Sequence, residues 1–483
     1  MNPQELPTHR LATTDQQGNR IYLYPIEVLG KWRSRRSKLT WVLMVLFLVL
    51  PWIHIHGHPA VLLDIAHRKF AIFGIAFWAH DAPLLIFIFG GAALTLALVT
   101  AIWGRIWCGW ACPQTVFIDS IFRKLEYWIE GDAFTRKKLD ESPLSWKKAS
   151  QKILKWVGFA LFSLIISHSF LAYFYGTQEL AQMMRSSPSE NLTSFLIMGG
   201  ITLVILFDFG WFREQFCTLV CPYGRFQSVL MDDESQVIAY DAARGEPRRG
   251  VQQDSSQLSS QPSGDCVNCY QCVRACPTGI DIRRGLQLEC IACTACIDAC
   301  DRVMEKIKKP SGLIRYDSLA AFSNKNASQQ KVYFKPKVLF FGALLSFMLI
   351  GLTLTVHYRQ PIESTFIRAV GAPYQEISNS DGQAEVINHF KIDLRNQTFE
   401  SHHIEFKINP IQEELKNIQI IVSHHDEVLS GGTSERADLF IRFPKTILKS
   451  GNRSIPIIIE SLSLKSMTRS TLTQEVLLVG PTH

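Results

Sequence analysis

Residues 357–483 contain no cysteine, although the chain has twelve, and every one of those twelve falls in a short-spaced group. That distribution argues against a disulfide scaffold and fits thiols held reduced for metal sites. Charge is missing in blocks as well. The runs at roughly 39–59, 83–103, 156–176 and 338–356 hold no Asp, Glu, Lys or Arg, and the run 191–211 holds only Asp208. A bilayer core needs about 20 helical residues, so five spans are expected and a soluble globular class is excluded. A removable leader is not expected, because 38 residues precede the first run and no small-residue cleavage site follows it.

The basic residues give an expected orientation. Lys31, Arg33, Arg35, Arg36 and Lys38 precede the first run, which places the N-terminus in the cytoplasm. Segment 60–82 holds two Lys or Arg, 104–155 holds ten and 177–190 holds one, while 212–337 is again rich in them. The spans then alternate, and residues 357–483 fall outside. The net charge of +7 reflects this topology and gives no support for a nucleic-acid partner.

Two cysteine runs share one spacing. Cys266, Cys269, Cys272 and Cys276-Pro277 form Cys-x2-Cys-x2-Cys-x3-Cys, and Cys290, Cys293, Cys296 and Cys300 repeat it. This is the spacing of bacterial two-cluster ferredoxins, in which the fourth ligand comes from the partner run. Cluster one is therefore assigned to Cys266, Cys269, Cys272 and Cys300, and cluster two to Cys290, Cys293, Cys296 and Cys276. Zinc is the competing use of Cys-x2-Cys pairs, but two full four-cysteine runs favour iron–sulfur cubes. Asp301 stands where a proline often follows the last cysteine; proline ligates nothing, so the assignment survives.

A second repeat lies just beyond two apolar runs. Cys108 and Cys112-Pro113 follow the second, and Cys217 and Cys221-Pro222 follow the fourth. If the helices continue, each pair stands i, i+4 on one face, and the prolines end or kink that geometry. Four thiols at one membrane edge could hold Cu(I), which prefers soft ligands, cycle through disulfides, or ligate a further cluster. Packing at helix ends is the bland alternative.

The stretches "GRIWCGWACPQT", "FREQFCTLVCPYGRFQ", "YDAARGEPR", the ferredoxin runs, "PSGLIRYD" and the N-terminal "IYLYPIEVLGKWRSRR" together resemble the CcoG, FixG or RdxA family. These are polyferredoxin accessory proteins of cbb3-type cytochrome oxidase assembly, and the resemblance covers essentially the whole chain. It implies a membrane cupric reductase that converts Cu(II) to Cu(I), with Cys108, Cys112, Cys217 and Cys221 as the copper-facing residues. Copper would be substrate or transient ligand, and the partners would be oxidase assembly factors or a copper chaperone. Related membrane ferredoxins that draw on quinol supply the runner-up, and a non-catalytic copper-holding scaffold is the third reading. The electron donor is not written in the sequence.

The remaining features are weaker. His54 and His58, flanking His56, could hold Cu or Zn if they lay one turn apart on a helix. The mixed polar segment 241–264 reads as a linker. In 357–483, short runs rich in β-branched residues alternate apolar and polar groups, as in Ile404-Glu-Phe406-Lys-Ile408, which suggests an antiparallel β-sandwich; the family resemblance makes it immunoglobulin-like. The expected architecture is a membrane α-helical bundle of five transmembrane helices with an inserted α+β bacterial two-cluster ferredoxin-like domain and a C-terminal β-sandwich. Its parts are a cytoplasmic segment 1–38, spans one to four in 39–211 with the basic loop 104–155, a cysteine-bearing segment and linker 212–264, the ferredoxin and connector 265–337, span five at 338–356, and a periplasmic domain 357–483. The expected location is the cytoplasmic (inner) membrane, with the ferredoxin in the cytoplasm.

Overall fold

A computed structural model describes residues 13–14, 17, 19–55, 58–65, 69–78, 82–249, 264–323, 333–378, 384–408, 417–423, 428–448 and 450–482. Most of the expected linker, 250–263, lies outside the described residues, as does His56. The chain forms two compact units, Met1–Ile53 with Ile86–Gly351, and His54–Leu85 with Leu352–His483.

Four helices among the described residues are long and apolar enough to cross a membrane: Leu84–Trp103, Trp146–Tyr175, Leu192–Phe212 and Pro336–His357. Their uncharged runs make helix the only cheap way to satisfy backbone groups in lipid. Large side chains such as Ile86, Phe89, Leu203, Phe207, Phe340 and Phe347 stand exposed on them, as lipid-facing surface does. The chain is therefore a membrane protein.

The first expected span is not among these four. Its run contributes only the later half of helix Lys31–Val49, whose opening turns carry the basic cluster. The helix starts there because Asp298 accepts hydrogen bonds from the backbone N–H groups of Trp32 and Arg33, at 3.2 and 2.7 Å. It stops because Pro51, which has no N–H to donate, enters a short 3-10 turn, Leu50–Trp52. The chain then extends, with His54 paired to Pro59 and Ile55 to His58 in a two-residue ladder. This overturns the helical spacing expected for His54 and His58, which sit on neighbouring short strands.

In the first unit, the basic loop between spans is packed and ion-paired. Phe117, Phe122, Phe159 and Phe209 form a buried aromatic cluster. Beside it Glu126, 1% exposed, accepts two hydrogen bonds from Arg213 at 3.0 and 2.6 Å, one from Arg136 at 2.9 Å and one from the Tyr22 hydroxyl at 3.0 Å. Asp119 is met by Arg36 at 2.5 Å, Arg123 at 2.6 Å and Arg33 at 3.4 Å. Burial alone would raise the Asp119 carboxyl, but Arg36, Arg123 and Arg33 outweigh it and hold it well below the usual carboxylate range.

The second unit contains the expected sandwich. One sheet runs Gln419–Ser423, Ser434–Pro444, Ala384–Asn396, Ile362–Arg368, with Gln375–Ser378 also paired to Ala384–Asn396. The other runs Val428–Leu429, His402–Ile408, Asn452–Ser463, Arg469–Val479. Alternating residues point inward, so Val386, Ile392 and Leu394 meet Ile455, Ile457 and Leu478 in one core. Segment 60–82, between the first two apolar runs, has secondary structure of its own. It forms a three-stranded sheet, Val61–Asp64, Lys69–Ile72 and Ile75–Trp78, attached to the sandwich unit. Arg359 donates to the Ala76 carbonyl, and His58 stacks on Phe399 with ring centroids 4.3 Å apart.

Candidate iron–sulfur and thiol site

The two ferredoxin runs fold alike at the level of single dihedrals. In the first, Asn268 and Tyr270 flank Cys269 with φ of 55° and 57°; in the second, Ala292 and Thr294 flank Cys293 with φ of 54° and 67°. Residues with a Cβ rarely accept this left-handed conformation, and two at equivalent places in both loops mark a required shape. It curls each loop tightly around its middle cysteine, after which helices Gln271–Arg274 and Ala295–Lys306 begin. The first helix leads on to Cys276 and the second carries Cys300, the two cysteines that the spacing argument sends to the partner run.

The result is two adjoining cavities. Cys266, Cys269, Cys272 and Cys300 line one, closed by Tyr240, Met304 and Leu313. Cys276, Cys290, Cys293 and Cys296 line the other, closed by Ile238, Ile280 and Ile282. Cys272 borders both. Among the described residues no three His, Cys, Asp or Glu side chains converge on a point that would suit a single ion. Each four-thiol set instead surrounds an apolar-walled space, and all eight cysteines are free thiols. Soft donors around such a space fit an iron–sulfur cube, and the two sets match the ligand groups drawn from the sequence. A strand pair closes the module from behind: Gln236–Tyr240 runs antiparallel to Ile314–Ser318, Ile238 opposite Tyr316. The module thus starts well before residue 265.

The Cys-x3-Cys-Pro elements also repeat in structure, but not as continuous helices. Span two ends at Gly104 (φ 56°); Cys108 lies in a separate turn, Ile106–Trp110, and Cys112 is extended at the N-cap of Pro113–Phe117. Cys217 lies in the turn Phe216–Val220, and Cys221 is extended at the N-cap of Pro222–Leu230. Each second cysteine donates its N–H five residues back, Cys112 to Trp107 and Cys221 to Phe216, both at 2.9 Å. The proline starts a new helix each time, where its missing N–H costs nothing. The thiols feel one another's charge and are desolvated together. Burial, then the neighbouring Cys112, pushes the Cys108 thiol up to about 11, and burial also raises Cys112 and Cys217. Cys108 Sγ lies 3.5 Å from Gln227 Oε1.

Cys108 is also packed against cluster two. It shares a buried apolar cluster with Ile291 and Cys293. Gly109 approaches so closely that a Cβ there would collide with the carbonyl oxygens of Ile291 and Ala292. Arg105 donates to the carbonyls of Leu288 and, at 3.2 Å, Gly224, joining both thiol segments to the cluster-two loop. Arg36 Nε holds the Gly109 carbonyl at 2.5 Å, and Trp110 reaches the Tyr316 hydroxyl, which donates to Ala292 at 3.0 Å. Arg105, Gly109, Gln227 and Tyr316 were not singled out in the sequence. Only the Arg before each thiol pair and the glycine in "WCGW" hinted at them.

Tandem four-thiol cavities in a module on a helical membrane unit define an iron–sulfur membrane protein of the electron-transfer type. Three family descriptions match the sequence: a 4Fe-4S dicluster domain over residues 212–319, a 4Fe-4S binding domain over 71–139 and 190–232, and the IG-like fold at the C-terminus of FixG over 352–481. Protein RdxB of Cereibacter sphaeroides is 32% identical over 82% of this chain and 85% of its own. Protein RdxA of the same organism is 37% identical over 62% and 63%, and the nitrogen fixation protein FixG of Rhizobium meliloti 35% over 62% and 58%. The matched region spans less than two thirds of the latter two. The chain belongs to the FixG/Rdx family.

Proposed function

We propose that this chain reduces Cu(II) to Cu(I) at the Cys108, Cys112, Cys217 and Cys221 thiols, drawing one electron per copper through the ferredoxin module. The observation that carries this reading is the seating of Cys108 and Gly109 directly on the cluster-two loop. Cys266, Cys269, Cys272 and Cys300 would hold one cube, and Cys276, Cys290, Cys293 and Cys296 the other. When bound, such cubes supply one-electron carriers, commonly at negative potential. The chain's own residues do the rest. Arg105 and Gly109 fix the distance between the thiols and the cluster-two loop, and the apolar wall around Cys108 keeps water out. The four soft donors favour the reduced ion over the oxidised one. In this reading the ferredoxin faces the cytoplasm and the sandwich the periplasm. That is consistent with segment 60–82 and residues 357–483 sharing one compact unit. Delivery to an assembly factor or chaperone of a cbb3-type oxidase completes the proposal.

Purified full-length protein, reduced anaerobically and given Cu(II) with a Cu(I)-trapping chelator, tests it. Cys108→Ser and Cys217→Ser should each slow Cu(I) production at least about tenfold while the cluster EPR signals stay. Unchanged rates would sink the proposal. A second reading has its own support, because the 4Fe-4S binding description covers 71–139 and 190–232, which include all four thiols. If they ligate a third cube, wild-type protein contains about twelve irons per chain instead of about eight, and Cys108→Ser lowers the count.

A further inference from the structure

Beside cluster two lies a cavity of about 320 Å³ that the copper path does not use. One wall is the cluster-two framework itself, Ala275, Pro277, Cys293 and Ala295; the opposite wall comes from the N-terminal segment and the basic loop. Arg123 and Arg136 line it but are engaged by Glu214 and Glu126 behind the wall. Arg33 and Arg36 meet Asp119, and together with Lys124 they outnumber Asp119 and Glu27, so the lining is net positive. Tyr127 and Trp128, 44% and 76% exposed, stand at its edge.

We propose that this cavity is where the electron donor docks, and that the donor is a reduced flavin carrying a phosphate. Three features select that chemistry. A cavity of this size, its accessible surface mainly apolar although charged side chains are built into its wall, suits a planar small molecule. Exposed aromatic rings offer a stacking face, while Lys124 and the partly exposed Arg33, in a net positive lining, suit an anionic group. Cys293 belongs to both the cavity lining and the cluster-two lining, so a ring placed here has no more than one side chain between it and that cluster. The donor must also release electrons singly. A dihydroflavin gives up two electrons and two protons to become oxidised flavin; each cube takes one electron and water takes the protons. A nicotinamide, which passes a hydride, cannot do this directly, and a neutral quinol leaves the cations unmatched. The inference rests on the cluster-two ligands and not on copper as the acceptor.

Full-length protein in detergent is titrated with flavin mononucleotide, followed by flavin fluorescence, and with riboflavin as the uncharged control. Binding should be saturable, about tenfold weaker for riboflavin, and weakened to a similar degree by Lys124→Glu and by Trp128→Ala. Photoreduced flavin mononucleotide should bleach the clusters rapidly in wild type and slowly in both variants, while dithionite reduces all three equally. Absent binding, equal affinity for riboflavin, or bleaching unaffected by both variants overturns the proposal. So does cluster reduction by a neutral quinol at equal rates in wild type and Lys124→Glu when the flavin is inert. Dithionite-reduced protein still reports on copper reduction, so failure here is distinct from failure of the copper reading.

Discussion

Gly109→Val should leave the iron and sulfide content unchanged yet slow copper reduction by the pre-reduced protein by about a hundredfold, the cost of misplacing reacting groups by about 1 Å. Even a single Cβ at 109 would overlap the carbonyls of Ile291 and Ala292, and neither can retreat easily. Ala292 already holds a left-handed φ of 54°, and its carbonyl accepts the Tyr316 hydroxyl. The strain is relieved by lifting the Cys108 segment away from the cluster-two loop. Gly109→Ala should show a smaller effect of the same kind. Gly91→Ala, where nothing lies within 4 Å of the added carbon, should be silent. Freeze-quenched EPR separates the outcomes: slow copper reduction with intact cluster signals supports the docking role, and loss of the clusters would show that Gly109 serves their assembly instead.

Glu126→Ala should destabilise the helical unit by about 3–5 kcal/mol, because it strips the counter-charge from Arg213, Arg136 and Lys155 inside the protein. Thermal unfolding in detergent, followed by loss of the helical signal, is the measurement. Glu126→Gln should fall in between, since its amide oxygen can still accept one of the Arg213 bonds. The pH dependence has a definite sign. Burial works upward on this carboxyl, but Arg213, then Lys155 and Arg136, outweigh it and hold it at about 2, below its ordinary 4.5. A depressed carboxylate contributes stability that is fully present above about pH 4.5 and lost as pH falls through about 2. The wild type and Glu126→Ala curves should therefore converge only in strong acid. Equal midpoints at pH 7 would mean that the three cations find other partners.

Much of this could be read from one dimension, and the reason differs by element. The four membrane helices are carried by composition alone, and the ferredoxin by spacing, because a cube constrains its ligands locally. The sandwich strands betray themselves through alternation, as Ile455, Ile457 and Ile459 do. The first expected span is not among the four long apolar helices, because hydropathy records neither Pro51 nor a cap supplied by Asp298, more than two hundred residues away. His54 and His58 were misplaced with it. The Cys108 and Cys217 pairs were correctly found as a repeat, but an i, i+4 face presumed helices that Gly104 and the prolines interrupt. What places Cys108 beside Cys293 is a steric fit between a glycine and two carbonyls, and no periodicity records that. The ion pairs of Glu126 and Asp119 were invisible for a similar cause: a charge-rich loop reads as solvated until its tertiary partners are known.

The antiparallel ribbon of Gln236–Tyr240 and Ile314–Ser318 imposes an order on biogenesis. Its first strand leaves the ribosome before all eight cube-binding cysteines and its second only after them. Until the second strand emerges, the wall built from Ile238 and Tyr240 has nothing to lock it, and the nascent pocket stays open to delivery of iron and sulfide. The last membrane helix is made only later still, so loading can precede final insertion.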